Sequence, residues 1–91
     1  MTEITRKARI TGRVQGVGYR AWAREEALAL GLTGWVRNLP DGGVEALLHG
    51  PGPAVEALLE RMAQGPTFAR VSEVSHRIAP DVRPEGFEIR R

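Results

Sequence analysis

The stretch ARITGRVQGVGYRAWAREEALALG, residues 8–31, changes its hydrophobic period halfway along. From Thr5 to Val14, apolar or small residues alternate with polar ones, which predicts a half-buried strand. From Tyr19 to Leu30 the apolar residues recur on one helical face, and Gly31 follows where a left-handed helix cap is common. The chain therefore begins with a strand, a glycine-containing loop and a helix.

The remaining sequence predicts a second helix and further strands. A helix is predicted from Pro53 to Met62, because a proline start is followed by an apolar stripe at helical spacing. The apolar phase of the fourth strand slips between Val71 and Val74, which predicts a bulge or a half-exposed edge. The predicted strands are TGWVRN (33–38), VEALLHG (44–50), ARVSEVSHRI (69–78) and a short last one in GFEIR (86–90).

The order β-α-β-β-α-β predicts an α+β, ferredoxin-like sandwich over a single domain, residues 1–91, with two helices on one face of an antiparallel sheet. In this topology the first two strands run parallel with another strand between them. Their carboxyl ends, Val14 and Asn38, then emerge at the same edge of the sheet. Two strand spacings separate those ends by roughly 10 Å. An arginine and an asparagine side chain can close around one small ligand across that gap.

The composition limits the possible classes of function. The chain has no cysteine, which excludes disulfides, thiolate metal sites and cysteine nucleophiles. Its formal net charge is only +2 despite 13 basic residues, which indicates a weak preference for anions rather than a nucleic-acid surface. No apolar run has membrane-spanning length, and the N-terminus lacks the pattern of a signal peptide. We therefore expect a cytoplasmic protein with no membrane partner, and a monomer.

The loop between the first strand and the first helix has the composition of an anion site. Gly16 and Gly18 permit backbone conformations that let several N–H groups turn inward. Arg20 falls at the predicted helix N-terminus, where the helix dipole disfavours a cation unless an anion joins it. A phosphoryl group would neutralise this arginine and match its planar fork. The alternative is that the glycines only turn the chain and that Arg20 pairs with a nearby glutamate.

Other polar residues have a structural interpretation in the sequence. Asn38 precedes Leu-Pro-Asp-Gly and, taken alone, is typical of a turn. Asp41 is likewise predicted to be a turn residue, and no carboxylate cluster near the loop predicts a magnesium site. His49 and His76 fall in predicted strands, with no serine or carboxylate spacing that indicates a triad. We therefore expect both histidines to be structural.

Two segments resemble the signatures of the acylphosphatase family. GRVQGVGYR (12–20) is similar to a GxVQGVxFR-type loop, and GWVRNLPDGGVEALLHG (34–50) contains a GxVxNxxDGxV-type segment. FEIRR (87–91) resembles the family's C-terminal strand, so the similarity covers essentially the whole chain. The resemblance implies a ferredoxin-like fold. It also implies hydrolysis of acyl phosphates, which are mixed anhydrides of a carboxylic acid and phosphate, without a metal or organic cofactor.

Residue roles follow from this resemblance position by position. The family's phosphate-binding arginine falls on Arg20 and its water-positioning asparagine on Asn38. The backbone cradle for the phosphate falls on the loop, comprising Gln15, Gly16, Val17, Gly18, Tyr19 and Arg20. Inorganic phosphate is then expected as product and inhibitor. Tyr19 stands where the family commonly has phenylalanine, so its hydroxyl needs a polar partner or solvent.

Two other interpretations stay open at this point. The first is an RNA-binding module of the same architecture, which would stack bases on aromatic residues of the central strands. KARIT (7–11) and VEALL (44–48) contain no such residues. The second is a non-catalytic or carbamoyl-phosphate-specialised acylphosphatase-like domain of the kind fused within larger proteins. The chain begins with methionine, ends just after its last predicted strand and retains Arg20 and Asn38, which favours a free-standing enzyme.

Overall fold

The computed structural model describes residues 2–80 and 83–91, and these form two helices and five strands. In chain order the elements are β1 (Glu3–Arg13), α1 (Tyr19–Ala29), β2 (Thr33–Asn38), β3 (Val44–Pro51), α2 (Gly52–Met62), β4 (Arg70–Ile78) and β5 (Phe87–Arg90). The predicted β-α-β-β-α-β order is confirmed, and the predicted short last strand is present as β5. Gly31 follows α1 with φ 72°, in the left-handed conformation expected of a helix cap.

The strands form one sheet in the order β4-β1-β3-β2-β5. The first four strands pair antiparallel, so β1 and β2 are parallel to each other with β3 between them, as predicted. The last strand differs, because β5 pairs parallel with β2 and makes the five-stranded sheet mixed. The ferredoxin-like α+β fold class is therefore confirmed. The antiparallel description applies to the four strands before β5.

Both helices cover the same face of the sheet. α1 packs against β2 and β5, α2 packs against β1 and β3, and the two helices touch each other. Alternate strand residues point into this layer, because successive side chains of a strand face opposite sides. The resulting core includes Ile10, Val36, Leu48 and Leu58 among its fully buried side chains. This core fixes the sheet edge at which β1 and β2 end, and that edge forms the site described below.

A β-bulge interrupts the pairing of β1 with β4. Thr11 lies opposite Glu73 and Gly12 lies opposite Val71, so Ser72 is the extra residue of the bulged strand. This is the irregularity predicted from the slipped apolar phase of the fourth strand. Gly12 has φ 116°, and a Cβ atom there would overlap the carbonyl oxygen of Arg70. A residue with a side chain therefore does not fit at this position without displacing β4.

The connection between β2 and β3 is a tight turn built by its own hydrogen bonds. The Leu39 amide donates to the Gly43 carbonyl oxygen at 2.8 Å, which closes the turn. The Gly43 amide donates to Oδ1 of Asp41 at 2.9 Å, so Asp41 is a turn residue as predicted. Its Oδ2 also forms an ion pair with Arg9 of β1.

The sheet face opposite the helices carries Trp35, which is 9% exposed. Three cationic groups lie within 6 Å of its ring, at 5.8 Å for Lys7, 5.3 Å for Arg37 and 4.9 Å for Arg90. These side chains cover the ring by cation–π contact and leave little of it for stacking on a base. The central strands β1 and β3 contain no Phe, Tyr or Trp. The sheet face therefore offers poor support for the RNA-binding alternative.

Both histidines lie in strands away from the carboxyl ends of β1 and β2. His49 is buried on β3, and its Nδ1 lies 2.8 Å from Oγ1 of Thr5 in a hydrogen bond between strands. His76 is exposed on β4. His49 therefore makes a structural contact, whereas the structural role of His76 stays a prediction. In the part of the chain that the structure describes, no helix is long and apolar enough to cross a membrane.

Candidate active site

The loop between β1 and α1 has its conformation fixed by two glycines. Gly16 has φ 73° and Gly18 has φ 78°, both in the left-handed region that residues with a Cβ atom enter at a cost. Gly18 is also the N-terminal cap of α1, and its carbonyl oxygen accepts the hydrogen bond of the Trp22 amide at 3.0 Å. The chain can therefore turn sharply from the end of β1 into the first turn of α1.

The backbone amides of this loop have no acceptor of their own. Within residues 2–80 and 83–91, no N–H group from Gln15 to Arg20 donates a hydrogen bond to a protein oxygen. The first turn of a helix always leaves such donors, and α1 has no side-chain cap to use them. It also has no acidic residue in its first turn. The loop thus presents several donors and the positive end of a helix dipole to any anion that binds there.

Gln15 ties this loop to the turn that follows β2. Its Nε2 atom donates to the carbonyl oxygens of Leu39 and Gly43, each at 2.8 Å. The side chain therefore uses both amide hydrogens on two backbone acceptors across the sheet edge. Since Leu39 directly follows Asn38, this contact holds the loop and the end of β2 in a defined relative position.

Arg20 reaches across to the last strand rather than to an acidic residue. Its Nη1 atom donates to the carbonyl oxygen of Arg90 at 3.1 Å. No carboxylate of the described residues lies within 4 Å of its guanidinium. The alternative in which Arg20 pairs with a glutamate is therefore not what the structure shows. The guanidinium keeps its full positive charge next to the loop.

Asn38 ends β2 with an unusual feature in its side chain. Its Oδ1 atom is buried and has no hydrogen-bond partner among the described residues. A buried acceptor without a partner is unfavourable by about 1–3 kcal/mol, and such groups in native structures usually have a water or a functional explanation. Asn38 also lines the cavity described next.

These features meet in one cavity of about 200 Å³ at the carboxyl ends of β1 and β2. Its wall is formed by Val14, Gly16, Gly18, Tyr19, Arg20, Ala21, Asn38 and Ile89. The cavity brings Arg20 and Asn38 together, as the predicted topology required. Gln15 and Val17 do not line it, because the Gln15 side chain is bound to the turn and Val17 packs against the core.

Three lining residues were not among the residues predicted for the site: Val14, Ala21 and Ile89. Val14 and Ala21 flank the predicted loop closely, so neighbourhood in sequence could have indicated them. Ile89 is different, because it reaches the cavity only through the parallel pairing of β5 with β2, in which it lies opposite Val36. The sequence predicted a short last strand but did not predict which strand it would pair with.

Among the described residues that form the cavity wall there is no histidine and no carboxylate. The Tyr19 hydroxyl donates its hydrogen bond to the carbonyl oxygen of Met62 at 2.8 Å and so does not donate to a group in the cavity. Burial raises the pKa of Tyr19 above its ordinary value, so the phenol stays protonated near neutral pH. Across residues 2–80 and 83–91 there is also no group of three or more His, Cys, Asp or Glu side chains that could hold a metal ion.

The fold and the cavity define a ferredoxin-like sandwich with a polar cavity at the carboxyl ends of its two parallel strands. The chain belongs to the acylphosphatase family, because the family model described as Acylphosphatase matches residues 6–89. It is similar to an acylphosphatase of Sinorhizobium medicae (strain WSM419), with 52% identity over 94 residues and 100% of each chain covered. It also superposes on the structure of an acylphosphatase from Coxiella burnetii with a TM-score of 0.93 and 35% identity, over 97% of this chain and 93% of that one.

A part of a larger protein has the same fold. Full-length HypF in a phosphate- and nucleotide-bound form superposes with a TM-score of 0.88 and 24% identity. The match covers 99% of this chain but only 12% of that chain. At this level of identity the likeness concerns the fold alone.

Proposed function

We propose that this protein is an acylphosphatase, which hydrolyses acyl phosphates to a carboxylate and inorganic phosphate. One observation carries the proposal beyond family membership. The same cavity is lined by the loop residues Gly16 and Gly18, by Arg20 and by Asn38. Among the described residues the loop amides have no protein acceptor, and the Oδ1 atom of Asn38 has no hydrogen-bond partner. A small tetrahedral anion with a water beside it would use all three groups.

The loop and Arg20 bind the phosphoryl group in this proposal. The backbone amides of Gln15, Gly16, Val17, Gly18, Tyr19 and Arg20 are the candidate donors to its oxygens, with those nearest the cavity wall contributing most. Arg20 adds a charge-assisted, planar pair of donors. Phosphoryl transfer needs mainly positioning and stabilisation of charge, so fixed amides and one guanidinium suit it.

Asn38 positions the attacking water. Its side-chain amide holds the water by a hydrogen bond and aims it at phosphorus. The water oxygen bonds to phosphorus while the P–O bond to the acyl group breaks and the carboxylate leaves with the bonding electrons. One proton of the water passes to a phosphate oxygen, since the described part of the chain places no histidine or carboxylate in the cavity wall to take it.

The remaining features of the proposal concern the protein as a whole. Residues 1–91 act as a single domain and a monomer, and the reaction needs no metal or organic cofactor, because amides and Arg20 supply the positive potential. Inorganic phosphate binds as product and inhibits competitively. We also propose a cytoplasmic location.

A carbamoyl-phosphate-specialised role, the alternative that the sequence left open, is the second candidate, and the likeness to a part of HypF, which concerns the fold alone, does not decide between the two. The two candidates differ in substrate range. A general acylphosphatase hydrolyses acetyl and benzoyl phosphate readily, whereas a specialised domain prefers carbamoyl phosphate strongly over both.

The proposal is tested by hydrolysis of benzoyl, acetyl and carbamoyl phosphate in excess chelator. We expect turnover of the acyl phosphates that chelator leaves unchanged and that inorganic phosphate inhibits competitively. Millimolar phosphate should also raise the melting temperature, because a ligand bound only by the native state stabilises it. Absence of hydrolysis, combined with steeply salt-dependent binding of single-stranded RNA, would reverse the assignment.

A further inference from the structure

One large apolar side chain in the cavity wall is left without a role by the phosphate chemistry. Ile89 is 43% exposed, although it lies on the helix-covered face of β5 opposite the fully buried Val36. The part it leaves exposed lines the same cavity as Arg20 and Asn38. Other exposed large apolar residues, such as Ile78 on β4, do not contribute to this wall.

The cavity wall is divided between polar and apolar groups. The loop amides, Arg20 and Asn38 are donors and acceptors suited to phosphate and water, and they offer nothing to the carbon skeleton of a substrate. Ile89 and the methyl group of Ala21 offer the opposite, an apolar surface with no polar atom. Because Val14 and Tyr19, which also line the cavity, are each only 1% exposed, a phosphoryl group held by the donors leaves Ile89 as the accessible large apolar contact within the same 200 Å³.

Hydrogen bonds on both sides hold Ile89 in place relative to the donors. Arg20 donates to the Arg90 carbonyl oxygen at 3.1 Å, and Nε of Arg24 donates to the Phe87 carbonyl oxygen at 3.0 Å. These two bonds from α1 bracket Ile89 on β5. The two bonds thus fix the position of Ile89 relative to α1, the helix that carries Arg20. A side chain that selects substrates needs such a fixed position.

We propose that Ile89 contacts the acyl group, so that the protein prefers acyl phosphates with an aromatic or longer aliphatic body over acetyl phosphate. This inference rests on the proposed function and names the substrate class that the cavity selects. The physical reason is that a large acyl body covers the exposed part of Ile89, whereas an acetyl methyl group is too small to cover much of it. Phosphate itself makes no use of the contact.

The test compares Ile89→Ala with Ile78→Ala, a matched control at an isoleucine that is 77% exposed on the opposite edge strand. We expect Ile89→Ala to lower kcat/KM for benzoyl phosphate about tenfold, the range for losing a few methyl and methylene contacts. For acetyl phosphate the change should be less than about twofold by the same reasoning. The inhibition constant of inorganic phosphate should not change. Ile89→Leu should retain most of the preference, and Ile78→Ala should alter neither substrate.

Two results would overturn the inference while leaving the proposed function intact. Equal losses for both acyl phosphates, together with a lower melting temperature, would make Ile89 a packing residue only. An unchanged kcat/KM for both substrates would mean that the acyl group does not contact Ile89. A wild-type protein that hydrolyses neither compound would instead overturn the proposed function, and this inference with it.

Discussion

The guanidinium of Arg20 donates a hydrogen bond to the carbonyl oxygen of Arg90, which lies 70 residues later in the chain. The contact joins the first helix to the last strand at the rim of the cavity. It means that the residue proposed to bind phosphate is oriented by β5, even though the recognisable loop lies entirely at the other end of the sequence. The last strand is therefore part of the site.

The first prediction concerns the geometry of that guanidinium. Arg20→Lys keeps the positive charge but loses the planar fork and the reach to Arg90, so we expect kcat/KM for benzoyl phosphate to fall about 100-fold or more. Arg24→Lys is the matched control, because Arg24 also joins α1 to β5 but does not line the cavity. Steady-state kinetics measure kcat/KM for both variants. A similar loss of kcat/KM in both would mean that these arginines act only by linking α1 to β5.

The second prediction separates catalysis from stability at Asn38. Asn38→Ala removes a buried oxygen that has no partner among residues 2–80 and 83–91, so the free energy of unfolding should be unchanged or higher by up to about 1 kcal/mol. The same change should lower kcat about 100-fold while KM and the inhibition constant of phosphate stay close to wild type. Urea unfolding and steady-state kinetics measure the two effects. Normal kcat with lower stability would make Asn38 a structural turn residue.

The third prediction tests the bridge formed by Gln15. Gln15→Glu is nearly isosteric but brings oxygens against the Leu39 and Gly43 carbonyl oxygens, so we expect a loss of about 1–3 kcal/mol in the free energy of unfolding. The affinity for phosphate should fall too, because the loop is no longer held to the end of β2. Gln64→Glu makes the same chemical change at an exposed position and is the control. Equal free energies of unfolding and equal phosphate affinities in the two variants would show that the Gln15 bridge is needed neither for stability nor for phosphate binding.

The fourth prediction concerns the hydroxyl of Tyr19 and pH. Burial raises the pKa of Tyr19, so the native state keeps the phenol proton at a pH where the unfolded chain, with a tyrosine pKa of about 10, has lost it. The stabilisation is therefore fully present below about pH 10 and decreases as the pH rises above that value. Alkaline unfolding of wild type should then be steeper than that of Tyr19→Phe. Because Tyr19 is the sole tyrosine, ultraviolet titration of the native protein reports it directly.

At neutral pH, Tyr19→Phe should cost about 1 kcal/mol, because the Met62 carbonyl oxygen loses its buried donor. Activity should be retained, since the hydroxyl points away from the cavity wall and toward α2. A strong loss of kcat in this variant would contradict that orientation. A native tyrosine that titrates at its ordinary pKa would likewise contradict its burial.

Local sequence features predicted much of the fold. The period change between residues 8 and 31 marked β1 and α1, and the slipped phase between Val71 and Val74 marked the bulge that the structure has at Ser72. Such signals work because they depend on the alternation of side chains along one element. The meeting of Arg20 with Asn38 was also predictable, because the topology requires β1 and β2 to end at the same edge.

Contacts between distant elements were not predictable in the same way. Phe87 and Ile89 indicated a strand but not that it would pair parallel with β2, since period alone does not choose a partner. The hydrogen bonds from Gln15 to the turn and from Tyr19 to Met62 join residues 24 to 43 positions apart. Their formation depends on how distant elements pack against one another, and local propensity does not predict that packing.

By itself the sequence determined the element order, the glycine loop before the first helix, the shared sheet edge of β1 and β2, and the resemblance that implied the family. The tertiary structure decided which groups face the cavity. It turned Gln15 toward the turn and brought Ile89 and the Arg90 carbonyl oxygen beside Arg20. It also left the Asn38 oxygen without a partner in the part of the chain that the structure describes. The physical reason is that backbone pattern is set by local sterics and periodicity, whereas side-chain partners are set by packing among elements far apart in the chain.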